Sequence, residues 1–250
     1  MSKDGKKLWS HSIGEEFAAF TTHGGRTMSP IIDGDLVIVS AAISSWGTAA
    51  NRAHRFVALD KRTGEIVYVA NPGTRPHDTA YAAPTIATIN GLRLLISGLG
   101  DGGIHAIKPQ TGEKVWSFVA AKRAINTGVV VKGTSVIVSH GDENLDTSEL
   151  GMIGAIDGSQ TGDIKMTKWA AKGDQFGFSS PVIDGTRVHP SRKRIEAEGL
   201  RPRDRTRTLE TAAWHRSERR RWSWPTESST SAQKAASSSS SARRPTARRC

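Results

Sequence analysis

The chain has 250 residues, a formal net charge of +11, 25 Gly and only 6% aromatic residues, a length that holds one large domain or two small ones. No apolar run approaches the ~18 residues of a membrane-spanning helix, and the opening MSKDGKKLWS lacks the apolar stretch of an export signal. The single cysteine, Cys250, is the last residue and excludes an internal disulfide framework, a Cys-based zinc site and a Cys nucleophile.

Strand signals begin near the N-terminus. DGKKLWS sets Gly5 four residues before Trp9, a spacing that returns twice further on. SPIIDGDLVIVS from Ser29 reads as two short strands joined by an Asp33-Gly34 turn, where Gly supplies the positive φ of a tight hairpin. RFVALDKRTGEIVYV from Arg55 is a strand, a polar turn ending in Thr63-Gly64, and a second strand carrying Tyr68.

The same sequence of elements recurs. APTIATINGLRLLIS from Ala83 turns on Gly91 and is followed by GIHAIKPQTGEKVWSF, with Gly112 and Trp116; GVVVKGTSVIVS from Gly128 turns on Gly133 and is followed by MIGAIDGSQTGDIKMTKW, with Gly162 and Trp169; SSPVIDGTRV from Ser179 opens a fourth unit on Gly185. The Thr-Gly glycines are spaced by 48 and then 50 residues. Runs such as Val37-Ile38-Val39 and Leu94-Leu95-Ile96 are continuously apolar, so both faces of these strands are buried, and no 3.6-residue helical stripe is visible. Four-stranded antiparallel units at this period predict an all-β fold, a β-propeller of about three to four blades in an incomplete ring.

The turn has a physical logic. Gly admits a left-handed backbone, Thr bonds back to the loop, the aromatic four positions on caps the neighbouring blade, and the small Ala58, Ala106 and Ala155 permit close sheet stacking. These residues are expected to be structural. HGDENLDTSEL from His140 lacks the spacing of a calcium loop and reads as a solvated excursion between strands. No Gly-x-Ser-x-Gly, HExxH or phosphate-binding glycine loop occurs.

The pattern of Ala58, Asp60, Thr63, Gly64 and Tyr68, repeated as Ala106, Thr111, Gly112 and Trp116, resembles the tryptophan-docking repeat of pyrroloquinoline-quinone-type propellers. The resemblance spans about residues 3–188. It departs from the pattern in Tyr68 where Trp is usual, in Lys108 where Asp is usual, and in an extra residue before the third Thr-Gly. The family includes quinoprotein alcohol dehydrogenases and noncatalytic relatives such as the outer-membrane assembly lipoprotein, and its rings usually have seven or eight blades. The Gly5–Trp9 spacing places the start of the chain on the last strand of a blade, either a ring-closing strand donated by the N-terminus or a start inside a longer gene, and the resemblance implies a partial propeller and an extracytoplasmic location.

The channel of such a propeller collects TTHGGRTMS from Thr21, HDTAYAAP from His77, KRAINTG from Lys122 and DQFGFSS from Asp174. These offer His23, Tyr81 and Phe178, and above all Arg26, Asp78, Arg123 and Asn126 as candidates to bind an anionic cofactor. The resemblance implies pyrroloquinoline quinone with calcium in a full-length catalytic relative. No metal ligand set is legible here, and adjacent cysteines like those of many quinoprotein dehydrogenases are absent. Two functions stay open: a binding or scaffold propeller without catalytic activity as this fragment, its partner a protein or small molecule at the channel, and a quinone-dependent dehydrogenase of alcohols or sugars.

Residues 189–250 hold 16 Lys and Arg against 6 Asp and Glu, whereas residues 1–188 are nearly neutral. A boundary is therefore expected at residue 188, between a partial propeller and a basic Arg- and Ser-rich tail. Three readings of the tail stay open: phosphate-binding by a nucleic-acid segment, a disordered extension, and translation in a shifted frame. Under the third, permissible codons for residues 222–245 read from their third base allow VLADGKLYVGTESGKFFILSAP, which contains a further Asp-Gly hairpin.

Overall fold

A computed structural model describes residues 2–17, 28–42, 54–78, 80–173, 179–184, 187–189 and 195–196. The Gly185 turn, the candidates His23, Arg26 and Phe178, and residues 197–250 lie outside the described residues.

Three four-stranded antiparallel blades form in chain order. The first contains β1 (Ile31–Asp33), β2 (Leu36–Ala41), β3 (Arg55–Asp60) and β4 (Ile66–Ala70). The second contains β5 (Thr85–Ile89), β6 (Leu92–Gly98), β7 (Gly103–Ile107) and β8 (Lys114–Val119). The third contains β9 (Val130–Lys132), β10 (Ser135–Glu143), β11 (Leu150–Asp157) and, after the two-residue β12 (Gly162–Asp163), its outer strand β13 (Trp169–Lys172). A fourth sheet opens with β14 (Val182–Asp184), β15 (Arg187–His189) and β16 (Ile195–Glu196). The architecture is the expected incomplete β-propeller.

Burial on both faces follows from the two-residue period of a strand. Leu94 and Ile96 face the third blade, in a cluster with Ile104, Trp116, Val136, Val138 and Ile156. Leu95, between them, faces the first blade with Ile38, Phe56, Leu99 and Ile107. Ile137, Ile153 and Ala155 meet Val188 at the fourth sheet, and Val57 and Leu59 meet Phe17, Trp9 and Ile13 on the other side of the first blade. Three of these apolar clusters are thus seams between neighbouring sheets, and the fourth packs the N-terminal segment on the first blade.

The Thr-Gly turns join third and fourth strands. Asp60 Oδ1 accepts from Arg62 N at 2.8 Å and Thr63 N at 2.9 Å, Gly64 N donates to Asp60 O, and Thr63 Oγ1 accepts from Glu65 N. Lys108 keeps the turn without an Asp carboxylate, because its carbonyl still accepts from Gly112 N and Thr111 Oγ1 accepts from Glu113 N.

Each docking aromatic then reaches the turn of the next blade. Trp9 Nε1 donates to Lys61 O at 3.1 Å, Tyr68 Oη donates to Pro109 O at 2.7 Å, and Trp116 Nε1 donates to Gly158 O at 3.1 Å. Tyr68 therefore substitutes for Trp through its phenol, which burial and the Asp33 charge push up to about 12. Gly64 and Gly112 hold φ of 80° and 73°, and a Cβ there would come within 2.7 Å of Trp9 and 2.6 Å of Tyr68. The cross-strand partners of Tyr68, Trp116 and Trp169 are Ala58, Ala106 and Ala155, so the recurrent Ala leaves room beside each ring.

Two features differ from the sequence reading. Residues 2–12 form no strand, although Gly5 has φ of 75° and Trp9 docks as expected; among the described residues no third strand lies beside them to complete a ladder. A single helical turn, α1 (Ile13–Phe17), follows. Ser12 caps it by accepting from Glu15 N, while Glu16 Oε1 accepts from Ser12 N, local chemistry that no apolar stripe announces.

Trp116→Ala should destabilise by about 3 to 5 kcal/mol, since it empties a fully buried ring site and strands the Gly158 carbonyl. Tyr68→Phe, which removes only the hydroxyl bond, should cost about 1 kcal/mol. Urea unfolding measures both, and equal costs for the two would reject the docking role of the indole.

Candidate functional site

Hairpin turns alternate along each blade, so the β1–β2 and Thr-Gly turns share one face of the propeller. The second-to-third-strand connections and the inter-blade loops share the other, the loop face. The turn face is bolted by Asp33, which accepts from Arg93 Nε at 2.9 Å and from Gln110 Nε2 at 2.8 Å. The Arg93 bond, helped by Gln110 and opposed by burial, holds the Asp33 carboxyl below its usual range.

The sequence-predicted candidates that are described all lie on the loop face. Asp78 and its neighbour His77 donate their backbone N–H groups to Gly100 O, in the turn between β6 and β7. Arg123 is exposed, and the segment bearing it is held to the same turn by Ile125 N donating to Leu99 O at 3.0 Å. Asn126 Oδ1 accepts from Tyr81 N at 3.2 Å, tying the two inter-blade loops together. The turn Leu99–Gly103 is therefore the meeting point of the stretches carrying Asp78, Arg123 and Asn126.

Sequence reasoning missed the polar group buried beneath that turn. His54 Nδ1 accepts from Gly100 N at 3.0 Å, so Nε2 carries the proton toward Ser40 Oγ, 2.6 Å away. Asp101 accepts from Thr74 N at 2.7 Å, Gly103 N at 3.0 Å and His105 Nε2 at 3.1 Å, and His105 Nδ1 lies 2.9 Å from Ser117 Oγ. Burial pushes the Asp101 carboxyl up, but the His105 bond and charge and the Thr74 and Gly103 N–H groups outweigh it and hold the group far below the usual carboxylate range. A legible signal was the run Asp101-Gly-Gly-Ile-His105, an Asp at a tight turn with a His four residues on.

Ser117, His105 and Asp101 form a hydroxyl–imidazole–carboxylate relay. They are 5%, 3% and 8% exposed, and a Cβ on Gly103 would lie 2.4 Å from His105 Nε2. Buried together beneath the loop face, the three groups brace the turn.

A family model described as outer membrane protein assembly factor BamB, of the pyrroloquinoline-quinone-type propeller repeats, matches residues 1–208. The chain belongs to this family. Among solved structures, the computationally designed Ika8 protein is 15% identical over 66% of this chain and 42% of its own, with a TM-score of 0.44. BamB from Moraxella catarrhalis is 20% identical over 64% of this chain and 40% of its own, with a TM-score of 0.43. Quinohemoprotein alcohol dehydrogenase ADHIIG from Pseudomonas putida HK5 is 18% identical over 59% of this chain and 20% of its own, with a TM-score of 0.41. The chain thus spans about two fifths of the first two structures and a fifth of the third. No curated protein matches the sequence.

Two oxygen-bearing groups of the described loop face are already engaged by the protein and do not stand open to a calcium-bound quinone. The buried carboxylate, Asp101, has both oxygens filled by protein donors, and the amide oxygen of Asn126 is held by Tyr81 N.

Burial lowers His54 to about 4 from an ordinary 6.5. The unfolded chain then binds a proton that the native state refuses between those values, so stability is complete above about pH 6.5 and declines toward pH 4, by about 3 kcal/mol. His140, also lowered by burial, acts in the same direction. Urea unfolding at pH 7 and pH 4.5 should show this loss, and His54→Gln should flatten it; an unchanged slope would remove His54 as its origin.

Proposed function

We propose that the chain is a binding or scaffold propeller of this family, without redox catalysis of its own. The observation that supports the reading is the use of the buried polar groups of the loop face: Asp101, His105, His54 and Asn126 are spent on bonds to one another and to neighbouring protein groups. Titration with pyrroloquinoline quinone and calcium, followed by absorbance and by oxidation of simple alcohols, should show neither saturable binding nor turnover. A saturable quinone spectrum bleached by alcohol would overturn the reading.

The alternative, a quinone-dependent dehydrogenase in a longer form, draws support from the convergence of the Asp78, Arg123 and Asn126 stretches on one turn. In that reading Arg26, Asp78, Arg123 and Asn126 would meet the anionic cofactor.

With the scaffold reading goes a division into a partial propeller, 1–188, and a basic tail, 189–250, translated in a shifted frame. The family match reaches residue 208, and β15 pairs with β16 at 195–196, so the coding sequence across 188–250 is the test. An alternative frame there should encode further Asp-Gly hairpins and a Thr-Gly turn; a frame without them would restore the tail as a native basic extension.

A further inference from the structure

The first blade and the fourth sheet begin alike, with Ser29-Pro30-Ile31-Ile32-Asp33 in one and Ser180-Pro181-Val182-Ile183-Asp184 in the other. Their hairpin registers match too. Ile32 lies opposite Val37 and Asp33 opposite Leu36, as Ile183 lies opposite Val188 and Asp184 opposite Arg187. The two occurrences of this motif are nevertheless buried on opposite sides. Ile31 packs into the seam with Ile38, Phe56 and Leu95, while Ile32 is 68% exposed. Ile183 packs into the seam with Ile137, Ile153 and Ala155, while Val182, the counterpart of Ile31, is 60% exposed. Each leaves bare the side that the other buries.

Cross-strand partners share a face of a sheet. Ile32, Ile66 and Val69 are the partners of Val37, Leu59 and Val57, so all six lie on the side of the first blade turned away from the second. The middle of that side is covered: Trp9 and the α1 residues Ile13 and Phe17 lie on Val39, Val57 and Leu59. Its flanks are not, and Ile32 on β1 and Ile66 and Val69 on β4 stand exposed. The five residues of α1 reach about 7.5 Å, whereas four strands spaced by about 4.8 Å are about 14 Å across. A single helical turn therefore cannot close the face.

The charges at the turn face match in the same way. Between the first and second blades Asp33 accepts from Gln110, the residue before the Thr111-Gly112 pair. Counted likewise from Thr63-Gly64, the counterpart of Gln110 is Arg62. Its exposed guanidinium lies 3.4 Å from Asp35, a carboxylate that Lys61 already holds at 2.9 Å. The counterpart of Asp33 is Asp184, which is exposed. Setting the fourth sheet against the bare side of a first blade brings Asp184 to Arg62, as Asp33 is brought to Gln110 within the chain.

We propose that the bare side of the first blade receives the fourth sheet of a second copy of this chain, head to tail, in place of α1. The seam so formed repeats the inner ones. Val182 takes the part of Ile31, Asp184 pairs with Arg62, and Trp9 keeps its bond to Lys61 O, as Tyr68 keeps its bond to Pro109 O between the first two blades. The contact joins two different surfaces, so association continues until the assembly closes on itself. This goes beyond the scaffold reading and stands whether or not the channel binds a ligand.

Sedimentation of the full chain over a range of concentrations tests it. Species larger than the monomer are expected, and Ile32→Glu or Val182→Glu alone should weaken association at least tenfold. Both residues are exposed, so each variant should keep the wild-type unfolding midpoint. An equimolar mixture of the two should form a 1:1 dimer and nothing larger, because one variant retains an intact first blade and the other an intact fourth sheet. Phe17→Ala, which loosens α1, should strengthen association; an unchanged or weaker association would overturn the displacement of α1. A monomer at every concentration, a mixture no more associated than its parts, or association indifferent to both Glu variants, as adhesion through the basic tail would be, overturns the proposal. Failure of the scaffold reading would instead appear as quinone turnover, which sedimentation does not register.

Discussion

The fold depends on one interaction, repeated: an aromatic ring, on the outer strand of a blade or on the N-terminal segment, donates to a carbonyl in the turn between the third and fourth strands of the next blade. Trp9, Tyr68 and Trp116 make this contact in succession. Apolar seams alone are non-directional and would let one sheet slide over another. A directional bond made from within the seam removes that freedom, because the ring must lie over the turn to reach its carbonyl. The small Ala opposite Tyr68 and Trp116 and the bare Gly beneath Trp9 and Tyr68 are consequences of the same demand for space.

Polar bonds at the two faces complete the blade-to-blade register. Asp33, Arg93 and Gln110 fasten the turn face between the first two blades. On the loop face His54, Asp101 and their donors fasten the turn between β6 and β7. A carboxylate and two imidazoles buried this deeply are tolerated because they are hydrogen-bonded, to one another, to the hydroxyls of Ser40, Thr74 and Ser117, and to the backbone N–H groups of Thr74, Gly100 and Gly103. The relay through His105 to Ser117 shows why a catalytic constellation must be judged by access as well as by distance.

The third unit shows how a departure from a repeat creates surface. Its longer connection supplies β12, which covers part of the β8 edge and then returns to its own blade beside a groove lined by Phe118, Met152 and Met166. In the second unit the connection is short, and Lys114 starts β8 directly after the turn. The acidic stretch from Asp142 to Glu149, read from sequence as a solvated excursion between strands, forms one wall of that groove through Asn144, Leu145 and Asp146.

The sequence by itself determined the blades. Strand length, the Asp-Gly and Asn-Gly hairpins, the Thr-Gly turns and the aromatic four residues on are local patterns, enforced by backbone sterics and two-residue periodicity within a few positions. Even the substitution of Tyr68 for Trp left the docking legible, since any aromatic with a donor serves. Only the tertiary structure decided the rest. That His54 reaches Gly100, that His105 and Asp101 spend themselves on a turn, and that β12 pairs with β8 instead of its own blade all join residues from separate segments. Of the candidate residues, Asp78, Arg123 and Asn126 lie in the loops around the Leu99–Gly103 turn. What their surroundings leave them free to do depended on backbone partners tens of residues away, which no local pattern encodes.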